Sequence, residues 1–336
     1  MPCRTIGCNA QYGFPILSGP GPLWKLVSAA VEFGKPAESH PQQRAQPPPG
    51  FVRATRNGSL AIGCDPYYVV GFNCYTLIEA AAEVNHGTWG LDYSSNGRAI
   101  VTAFLDEASL RGMNAVRMWA FSVVSGRPMQ IAPGKYDDAL AAGVDFVMAE
   151  AAARGMKVIL VLGDWWTAAD GVRKYMYWSR TAWLRWWGQS FFTVWDCMRM
   201  YRNHIAWWVR RVNTITGVAY KDDPTLLSWE LLNEPRCPGC GSQMRQWVAA
   251  MSGHLKSLDP WHLRAIGEEG FWSSDQSALN DGHDPAPGLA AHYTGQDFHE
   301  DTALADITHG TQCPDVDRLS TSGHATGRRW ALPRPQ

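Results

Sequence analysis

The sequence lacks an apolar run of the roughly 18 to 20 residues that cross a bilayer, since its longest such run, Val158 to Gly163, has the length of a β-strand. An excess of one charge sign is also missing, because 30 Lys and Arg residues stand against 31 Asp and Glu residues. A chain with a net charge of −1 has no global field to hold a phosphate backbone or an anionic lipid surface. We therefore expect no nucleic-acid partner and no membrane partner.

Cysteine is too scarce for a disulfide scaffold, with 8 residues in a chain of 336. Cys237 and Cys240 form a close CxxC pair, whose spacing suits a redox site, half of a zinc site or a local disulfide. Zinc needs a second CxxC or a HxxxH pair at suitable spacing, and the sequence contains neither. No phosphate or nicotinamide motif is present. The sequence thus predicts no metal and no cofactor, and it favours a local disulfide while leaving a redox role open.

Tryptophan is abundant, with 17 residues in a sequence that is 46% hydrophobic and 18% charged. These proportions predict a globular protein with a large core and exclude a disordered one. Indole rings in such numbers serve either a core or stacking against sugar rings, which makes a carbohydrate a candidate partner.

Three segments differ in composition and predict the domain organisation. Residues 1–50 end in a Pro- and Gln-rich stretch without periodicity, and we interpret them as a disordered leader or linker without a clear signal peptide. Residues 51–310 contain the predicted folded domain. Residues 311–336 show neither helical nor strand periodicity and predict an unstructured tail.

Short runs rich in Val, Ile and Leu alternate with longer stretches of helical spacing, which is typical of β/α units around a parallel sheet. The predicted strands are Tyr67 to Tyr75, Ala115 to Phe121, Lys157 to Gly163, Leu226 to Asn233, His262 to Gly267 and Thr302 to His309. The predicted helices are Gly97 to Arg111, Asp137 to Arg154, Phe192 to Asn213 and Ser242 to Leu258. Without a Gly-rich phosphate turn, this pattern favours an α/β fold of the (β/α)8 TIM-barrel type over a dinucleotide-binding sheet. Six strands instead of eight predict an incomplete barrel.

In a parallel barrel the functional site lies at the carboxyl ends of the strands, so polar residues there are the first candidates. Asn233 and Glu234 end the fourth predicted strand, where a carboxylate beside an amide suits acid–base chemistry. Arg117 and Trp119 share one side of the second strand because side chains alternate along a strand. An ordinary strand-to-loop turn and a buried core arginine remain open as alternatives. The candidates at these ends are Asn73, Arg117, Trp119, Trp165, Asn233 and Glu234.

Several longer motifs occur between residue 51 and about residue 300. They are Phe51-Val-Arg53, Gly71-Phe-Asn-Cys-Tyr75, Val116-Arg-Met-Trp-Ala-Phe121, Pro133-Gly-Lys-Tyr136, the segment Arg211 to Pro224, Trp229-Glu-Leu-Leu-Asn-Glu-Pro-Arg-Cys237, Lys256-Ser-Leu-Asp-Pro260, Glu269-Gly-Phe271 and Gly295-Gln-Asp-Phe298. In this order they resemble glycoside hydrolase family 5, specifically its plant and fungal endo-β-1,4-mannanase branch.

The resemblance implies a retaining glycosidase that cuts internal β-1,4-mannosyl bonds of mannan without a cofactor. Glu234 matches the family's acid/base, Asn233 its ligand of the sugar 2-hydroxyl, Arg117 the residue that orients the catalytic carboxylates and Trp119 a substrate contact. In fungal relatives the CxxC after the Asn-Glu-Pro sequence forms a local disulfide, which implies the same for Cys237 and Cys240. The family further implies a secreted or cell-wall protein that is monomeric when complete.

The nucleophile is the part of the family pattern that the sequence does not supply. A retaining mechanism needs a second carboxylate about 5–5.5 Å from the first, which in this family is a Glu that ends the seventh strand. The last Glu of the sequence, Glu300, lies before or within the sixth predicted strand, and no later strand ends in a carboxylate. Glu230 cannot take this place, because four strand residues at about 3.3 Å each separate its Cα atom from that of Glu234 by about 13 Å.

His309 is a further substrate-binding candidate, although the family's His-x-Tyr-Pro sequence is not retained around it. We expect the similarity to stop near Asp306 and the chain as written to be inactive on mannan.

Two other functions compete with hydrolysis. A sugar-binding protein without turnover would use Trp119, Trp165 and Trp166 to stack against pyranose rings. A surface or nucleic-acid binder would use the segments Thr181 to Trp187 and Ile205 to Arg211, in which indoles alternate with arginines. For these two segments the spacing favours an amphipathic barrel helix with a solvated basic face.

Overall fold

The computed structural model describes residues 47–55, 58–84, 93–124, 126–166, 171–179, 189–272 and 291–310. Its strands are β1 (Val52–Ala54), β2 (Leu60–Ile62), β3 (Asp65–Tyr67), β4 (Gly71–Asn73), β5 (Ala115–Trp119), β6 (Gln130–Ala132), β7 (Lys135–Tyr136), β8 (Lys157–Val161), β9 (Leu226–Glu230) and β10 (Leu263–Ala265). Its α-helices are α1 (Leu77–Ala81), α2 (Gly97–Leu110), α3 (Asp138–Ala153), α4 (Arg173–Trp178), α5 (Gln189–Thr193), α6 (Trp195–Arg210), α7 (Gly241–Leu258), α8 (Ala291–Thr294) and α9 (Phe298–Thr302).

The central sheet has the strand order β10-β9-β8-β5-β4, and all of its neighbouring strands run parallel. Helices α2, α3, α6 and α7 lie between successive strands of this sheet along the chain. This is the repeating unit of the (β/α)8-barrel class, and within the described residues it forms an open sheet of five strands without a closed barrel. The prediction of an α/β fold with part of a TIM barrel is confirmed.

The sixth predicted strand, Thr302 to His309, is wrong. Its first residue ends helix α9. This helix is capped at its start by Asp297, whose carboxylate accepts a hydrogen bond from the backbone N–H of Glu300. Further along, the backbone N–H of Thr308 donates to the carbonyl of Arg264 at 2.9 Å. The segment therefore touches the edge of the sheet at β10 without forming a strand.

Two other predicted elements are each divided in the structure. The predicted strand Tyr67 to Tyr75 spans the end of β3 and all of β4, which belong to different sheets. The predicted helix Phe192 to Asn213 is divided between α5 and α6, because Val194 has extended backbone angles (φ −83°, ψ 123°). Within α6, Tyr201, Ile205 and Trp208 recur at steps of four and three residues and are buried. The segment 181–187, in which indoles and arginines alternate, lies outside the described residues.

An antiparallel sheet of β1, β2 and β3 was not predicted, because strands of three residues are too short to show a period of two. Val52 of β1 is buried against Leu227 and Leu263, which lie near the amino ends of β9 and β10. The small sheet thus covers the end of the central sheet that is opposite to the candidate site.

Large aromatic side chains fill the core between the sheet and its helices. Trp208, Trp229 and Trp247 are among the largest side chains that are fully buried. Part of the tryptophan content therefore serves packing. No described helix combines the length and the apolarity that a bilayer span requires. The predicted leader and tail lie largely outside the described residues.

Candidate active site

The candidate residues lie where the parallel strands end. Asn73 is the last residue of β4, Arg117 belongs to β5, Asp164 follows β8, and Asn233 and Glu234 follow β9. Beyond the last residues of the named strands, β8 and β9 stay paired through the backbone: Asn233 donates to the carbonyl of Gly163 at 2.8 Å, and Trp165 donates to that of Asn233 at 3.1 Å. These bonds fix the relative positions of the polar side chains.

Arg117, which lies on β5, connects this strand to β4 and β9 through hydrogen bonds of its guanidinium. Its Nε lies 3.1 and 3.0 Å from the two carboxylate oxygens of Glu230, whose side chain is 0% exposed. Its terminal nitrogens donate to Oδ1 of Asn73 at 3.0 Å and to Oδ1 of Asn233 at 2.9 Å. A buried carboxylate needs such a partner, because an unpaired buried charge is costly. The ion pair with Glu230 therefore fixes the guanidinium, which in turn orients both amides.

Asn233 has both ends of its amide in hydrogen bonds. Oδ1 accepts from Arg117, and Nδ2 donates to Oδ1 of Asp164 at 3.0 Å. Burial raises the pKa of Asp164 to about 7, and the negative charge of Glu234 acts in the same direction, while the hydrogen bond from Asn233 opposes it. Asp164 is not among the site residues that the sequence predicts, and these include no second carboxylate near Glu234. Contact across strands brings this one into the group.

Glu234 adopts a backbone conformation that is uncommon for a residue with a side chain, with φ at +49°. Its N–H donates to the carbonyl of Gly267 at 2.8 Å, and its Oε2 accepts a hydrogen bond of 2.6 Å from Nε1 of Trp166. Strained backbone of this kind persists only where the surroundings hold it, and it occurs often at functional sites.

Gly267 allows this close approach. Its φ is +99°, and a Cβ atom at this position would lie 2.2 Å from the carbonyl oxygen of Leu232 and 2.5 Å from Oε1 of Glu230. Only glycine satisfies both the positive φ and the lack of space.

Trp166 is 43% exposed and lies between Glu234 and Arg236. The guanidinium carbon of Arg236 is 4.8 Å from the indole centroid, and Nε of Arg236 donates to Oε2 of Glu269 at 2.7 Å. Gln296 also donates to Glu269, at 3.1 Å. The sequence predicts Trp166 only as a ring that stacks against a sugar, and its hydrogen bond to Glu234 was not predicted.

The two other predicted aromatic contacts differ in their surroundings. Trp119 stacks between Tyr75, at a centroid distance of 5.1 Å, and Phe121, at 4.6 Å. Trp165 stacks on Phe192 at 5.7 Å and packs against the main core. Trp119 therefore extends an aromatic surface that includes the exposed Tyr75, whereas Trp165 contributes to packing.

His309 lies beside β10 instead of joining the group around Glu234. Its Nδ1 is 3.3 Å from Oγ1 of Thr308, and within the described chain none of its hydrogen bonds reaches Glu234, Asn233 or Arg117. Burial lowers its pKa to about 4, with a further contribution from the charge of Arg264. His309 is therefore neutral near pH 7.

The loop after β9 is closed by a disulfide between Cys237 and Cys240, whose Cα atoms are 5.1 Å apart. The backbone N–H of Cys237 donates to the carbonyl of Thr294 at 2.6 Å, which ties this loop to α8. Across the described ranges, no group of three or more His, Cys, Asp or Glu side chains is placed to hold a metal ion.

The chain is similar in sequence to a known family and to its members. A family model described as GH family 5 beta-mannosidase-like matches residues 50–286. Mannan endo-1,4-beta-mannosidase 4 of Solanum lycopersicum is 39% identical over 263 residues, which are 76% of this chain and 60% of the relative. Mannan endo-1,4-beta-mannosidase 1 of Oryza sativa subsp. japonica is 40% identical over 234 residues, which are 67% of this chain and 50% of the relative. The chain thus spans between half and about three fifths of their length.

Solved structures show the same architecture. The endo-beta-1,4-mannanase from Thermotoga petrophila matches with a TM-score of 0.60 and 25% identity, over 73% of this chain and 52% of that one. An endo-1,4-beta-mannanase from Rhizomucor miehei matches with a TM-score of 0.62 and 24% identity, over 78% and 71% of the two chains, and it supports the fold alone. Since the family model covers well over half of the sequence, the chain belongs to glycoside hydrolase family 5, in its mannosidase-like group.

Proposed function

We propose that the chain carries a site for β-1,4-linked mannan of the endo-mannanase type, in which Glu234 is the acid/base. The observation that carries the proposal is the environment of Glu234. Its side chain is partly exposed at the carboxyl end of β9, its backbone is strained, and the exposed indole of Trp166 donates a hydrogen bond to its carboxylate. The identity to plant mannan endo-1,4-beta-mannosidases supports the substrate class.

The chemistry follows from these positions. As an acid, Glu234 would protonate the glycosidic oxygen that leaves, and as a base it would later remove a proton from water. Asn233 would bind a hydroxyl of the sugar through its amide, and the surface formed by Trp119 and Tyr75 would contact the pyranose rings. The reaction needs two carboxylates and water, and no cofactor enters it.

Binding without turnover is the second candidate, and one observation favours it. Three carboxylates near the carboxyl ends of β8, β9 and β10 are each held by another side chain: Asp164 by Asn233, Glu230 by Arg117 and Glu269 by Arg236. None of these three occupies the place of the family's nucleophile, a Glu that ends the seventh strand of the barrel, so no nucleophile is identified within the described residues.

The experiment uses the full chain with mannohexaose and, as a control sugar, cellohexaose. Calorimetry measures binding, and the release of reducing ends from mannan measures hydrolysis. If the chain hydrolyses mannan, Glu234→Gln should lower the rate by about 10² to 10⁴, whereas Glu107→Gln, in an exposed ion pair on α2, should leave it unchanged. Binding without release of reducing ends supports the second candidate. A chain that neither binds nor cleaves mannan contradicts both.

We further propose that the protein acts outside the cell as a monomer. Disulfides such as that between Cys237 and Cys240 persist in oxidising compartments, which supports secretion. Expression of a tagged full-length transcript in its native cells, followed by detection in medium and cell extract, tests secretion. Light scattering of the purified chain tests the oligomeric state.

A further inference from the structure

Asp164 is a buried carboxyl group that the reaction outlined above does not use. It is 3% exposed, and its partner Asn233 is 5% exposed. Its backbone is held on two sides, since it bridges to Asn233 across the sheet and its carbonyl accepts from Val172 at 2.9 Å. A side chain on so firmly held a backbone has little freedom to leave its partner.

The Asn233 amide can point in only one direction. Its oxygen faces a donor, the guanidinium of Arg117, and its nitrogen faces an acceptor, the carboxyl group of Asp164. Rotation by 180° about the last side-chain bond would set the amide nitrogen against the guanidinium. Where Asp164 is ionised, it would also set the amide oxygen against the carboxylate, so that both attractive contacts become repulsive. Arg117 alone would fix only the oxygen, so Asp164 supplies the second constraint.

We propose that Asp164 is the positioning residue of Asn233, which holds the amide so that its second Nδ2 hydrogen is presented to a hydroxyl of the bound sugar. One Nδ2 hydrogen is used by Asp164, and an amide nitrogen carries two. The sugar half of this inference rests on the proposed function, whereas the orientation of the amide does not.

The strength of this positioning depends on pH. Burial raises the pKa of Asp164 to about 7, so the group changes charge near neutrality. Above that pH the carboxylate accepts a charge-assisted hydrogen bond, which is stronger than the bond to a neutral carboxyl. The groups that face Asp164 are Glu234 from the end of β9, Tyr201 from α6 and, through Asn233, the guanidinium of Arg117. Burial raises the pKa of Tyr201, which therefore stays neutral over the relevant range.

The test of the orientation is nuclear magnetic resonance of the full chain labelled with ¹⁵N-asparagine and without sugar. The side-chain signals of Asn233 are assigned by their loss in Asn233→Gln. We expect them to shift between pH 5 and 9 with a midpoint near 7, and to lose this shift in Asp164→Asn. Asp106→Asn, which changes an exposed carboxylate on α2, should leave the titration intact. Wild-type Asn233 signals that coincide with those of Asp164→Asn at every pH overturn the proposal, and so does a titration that persists in Asp164→Asn.

Mannohexaose binding then tests the sugar half. We expect the affinity of the wild type to rise between pH 6 and pH 8, and Asp164→Asn to lose this dependence together with about fivefold of the affinity at pH 8. Equal affinity and equal pH dependence in both proteins overturn the sugar half. If the wild type does not bind mannohexaose at all, the proposed function fails, and the titration of the Asn233 amide still decides the orientation.

Discussion

The indole nitrogen of Trp166 lies 2.6 Å from Oε2 of Glu234, and this bond joins the ends of two neighbouring strands. The indole ring is also covered by the guanidinium of Arg236, which an ion pair with Glu269 holds in place. The position of the carboxylate thus depends on residues that follow β8, β9 and β10. Because the bond is made to a partly exposed group, its removal should affect ligand binding more than folding.

Replacing Trp166 by phenylalanine keeps an aromatic ring and removes the donor to Glu234. We expect a loss of about tenfold in mannohexaose affinity, because a hydrogen bond to a charged group contributes about 1.5–3 kcal/mol. Where the chain hydrolyses mannan, the rate should fall by a similar factor. Calorimetry and the reducing-end assay measure the two effects.

The matched control is Trp261→Phe, which changes an indole just before β10, at the opposite end of the sheet. It should leave affinity and rate unchanged. Equal losses in the two variants would show that the effect of Trp166 is one of general packing and not of its bond to Glu234.

The sequence predicted those parts of the fold that have a clear local signal. The strands Ala115–Trp119, Lys157–Val161 and Leu226–Glu230 lie within the predicted apolar runs, because strands buried on both faces show as continuous hydrophobic segments. Helix α3 begins within one residue of its predicted start, after the N-cap Asp137, whose carboxylate accepts from the N–H groups of Ala139 and Leu140. These signals lie within a few residues of the element that they specify.

The remainder depends on contacts between distant residues. Nothing near Trp166 in the sequence shows that it donates to a residue 68 positions away, and Asp164 is marked as part of the site only by its bond to Asn233. The break at Val194 interrupts an apolar pattern that looks continuous, because the residues on both sides face the same core. Resemblance to a family predicted Glu234, Asn233 and Arg117, but it could not predict how this chain holds them.

Replacement of Gly267 by alanine should destabilise the fold strongly. The added Cβ would meet the carbonyl oxygen of Leu232 at 2.2 Å, and the backbone is at φ +99°. Gly134→Ala is the control. Gly134 also has a positive φ, of +74°, but nothing lies within 4 Å of the added Cβ atom. This substitution should therefore cost only the conformational strain of about 1–2 kcal/mol. Urea unfolding followed by tryptophan fluorescence should give a clearly larger loss for Gly267→Ala. Equal losses would mean that the close approach to Leu232 relaxes freely.

Cys237 and Cys240 should be oxidised together in protein produced in an oxidising compartment. Alkylation without reductant, followed by mass spectrometry, should leave both thiols unmodified, whereas the exposed free thiol of Cys64 should react and serve as the internal control. Because the loop is very short, Cys237→Ser with Cys240→Ser should lower the free energy of unfolding by no more than about 2 kcal/mol. Carbamidomethyl groups on both Cys237 and Cys240 would contradict the prediction.

Glu268 should make the stability of the protein depend on pH. It is 3% exposed, and its carboxyl group lies against that of Asp301. Burial raises its pKa well above the ordinary value, and the nearby carboxylates of Asp301 and Asp297 add to this effect. A carboxyl group whose pKa is raised by folding contributes stability below its unfolded pKa, and that contribution is lost as pH rises toward the folded pKa.

Glu268→Gln removes this titration and keeps the size of the side chain. We expect the variant to match the wild type near pH 4 and to be more stable at pH 8, by about 1–3 kcal/mol, because an uncompensated buried group carries a penalty of that order. Glu107→Gln, at an exposed helical ion pair, is the control and should change stability little at either pH. Urea unfolding at a series of pH values from 4 to 8 measures the difference. A gain of equal size at both ends of the range would mean that Glu268 does not titrate with folding, and a loss at pH 8 would mean that its carboxylate is stabilised by partners in the native state.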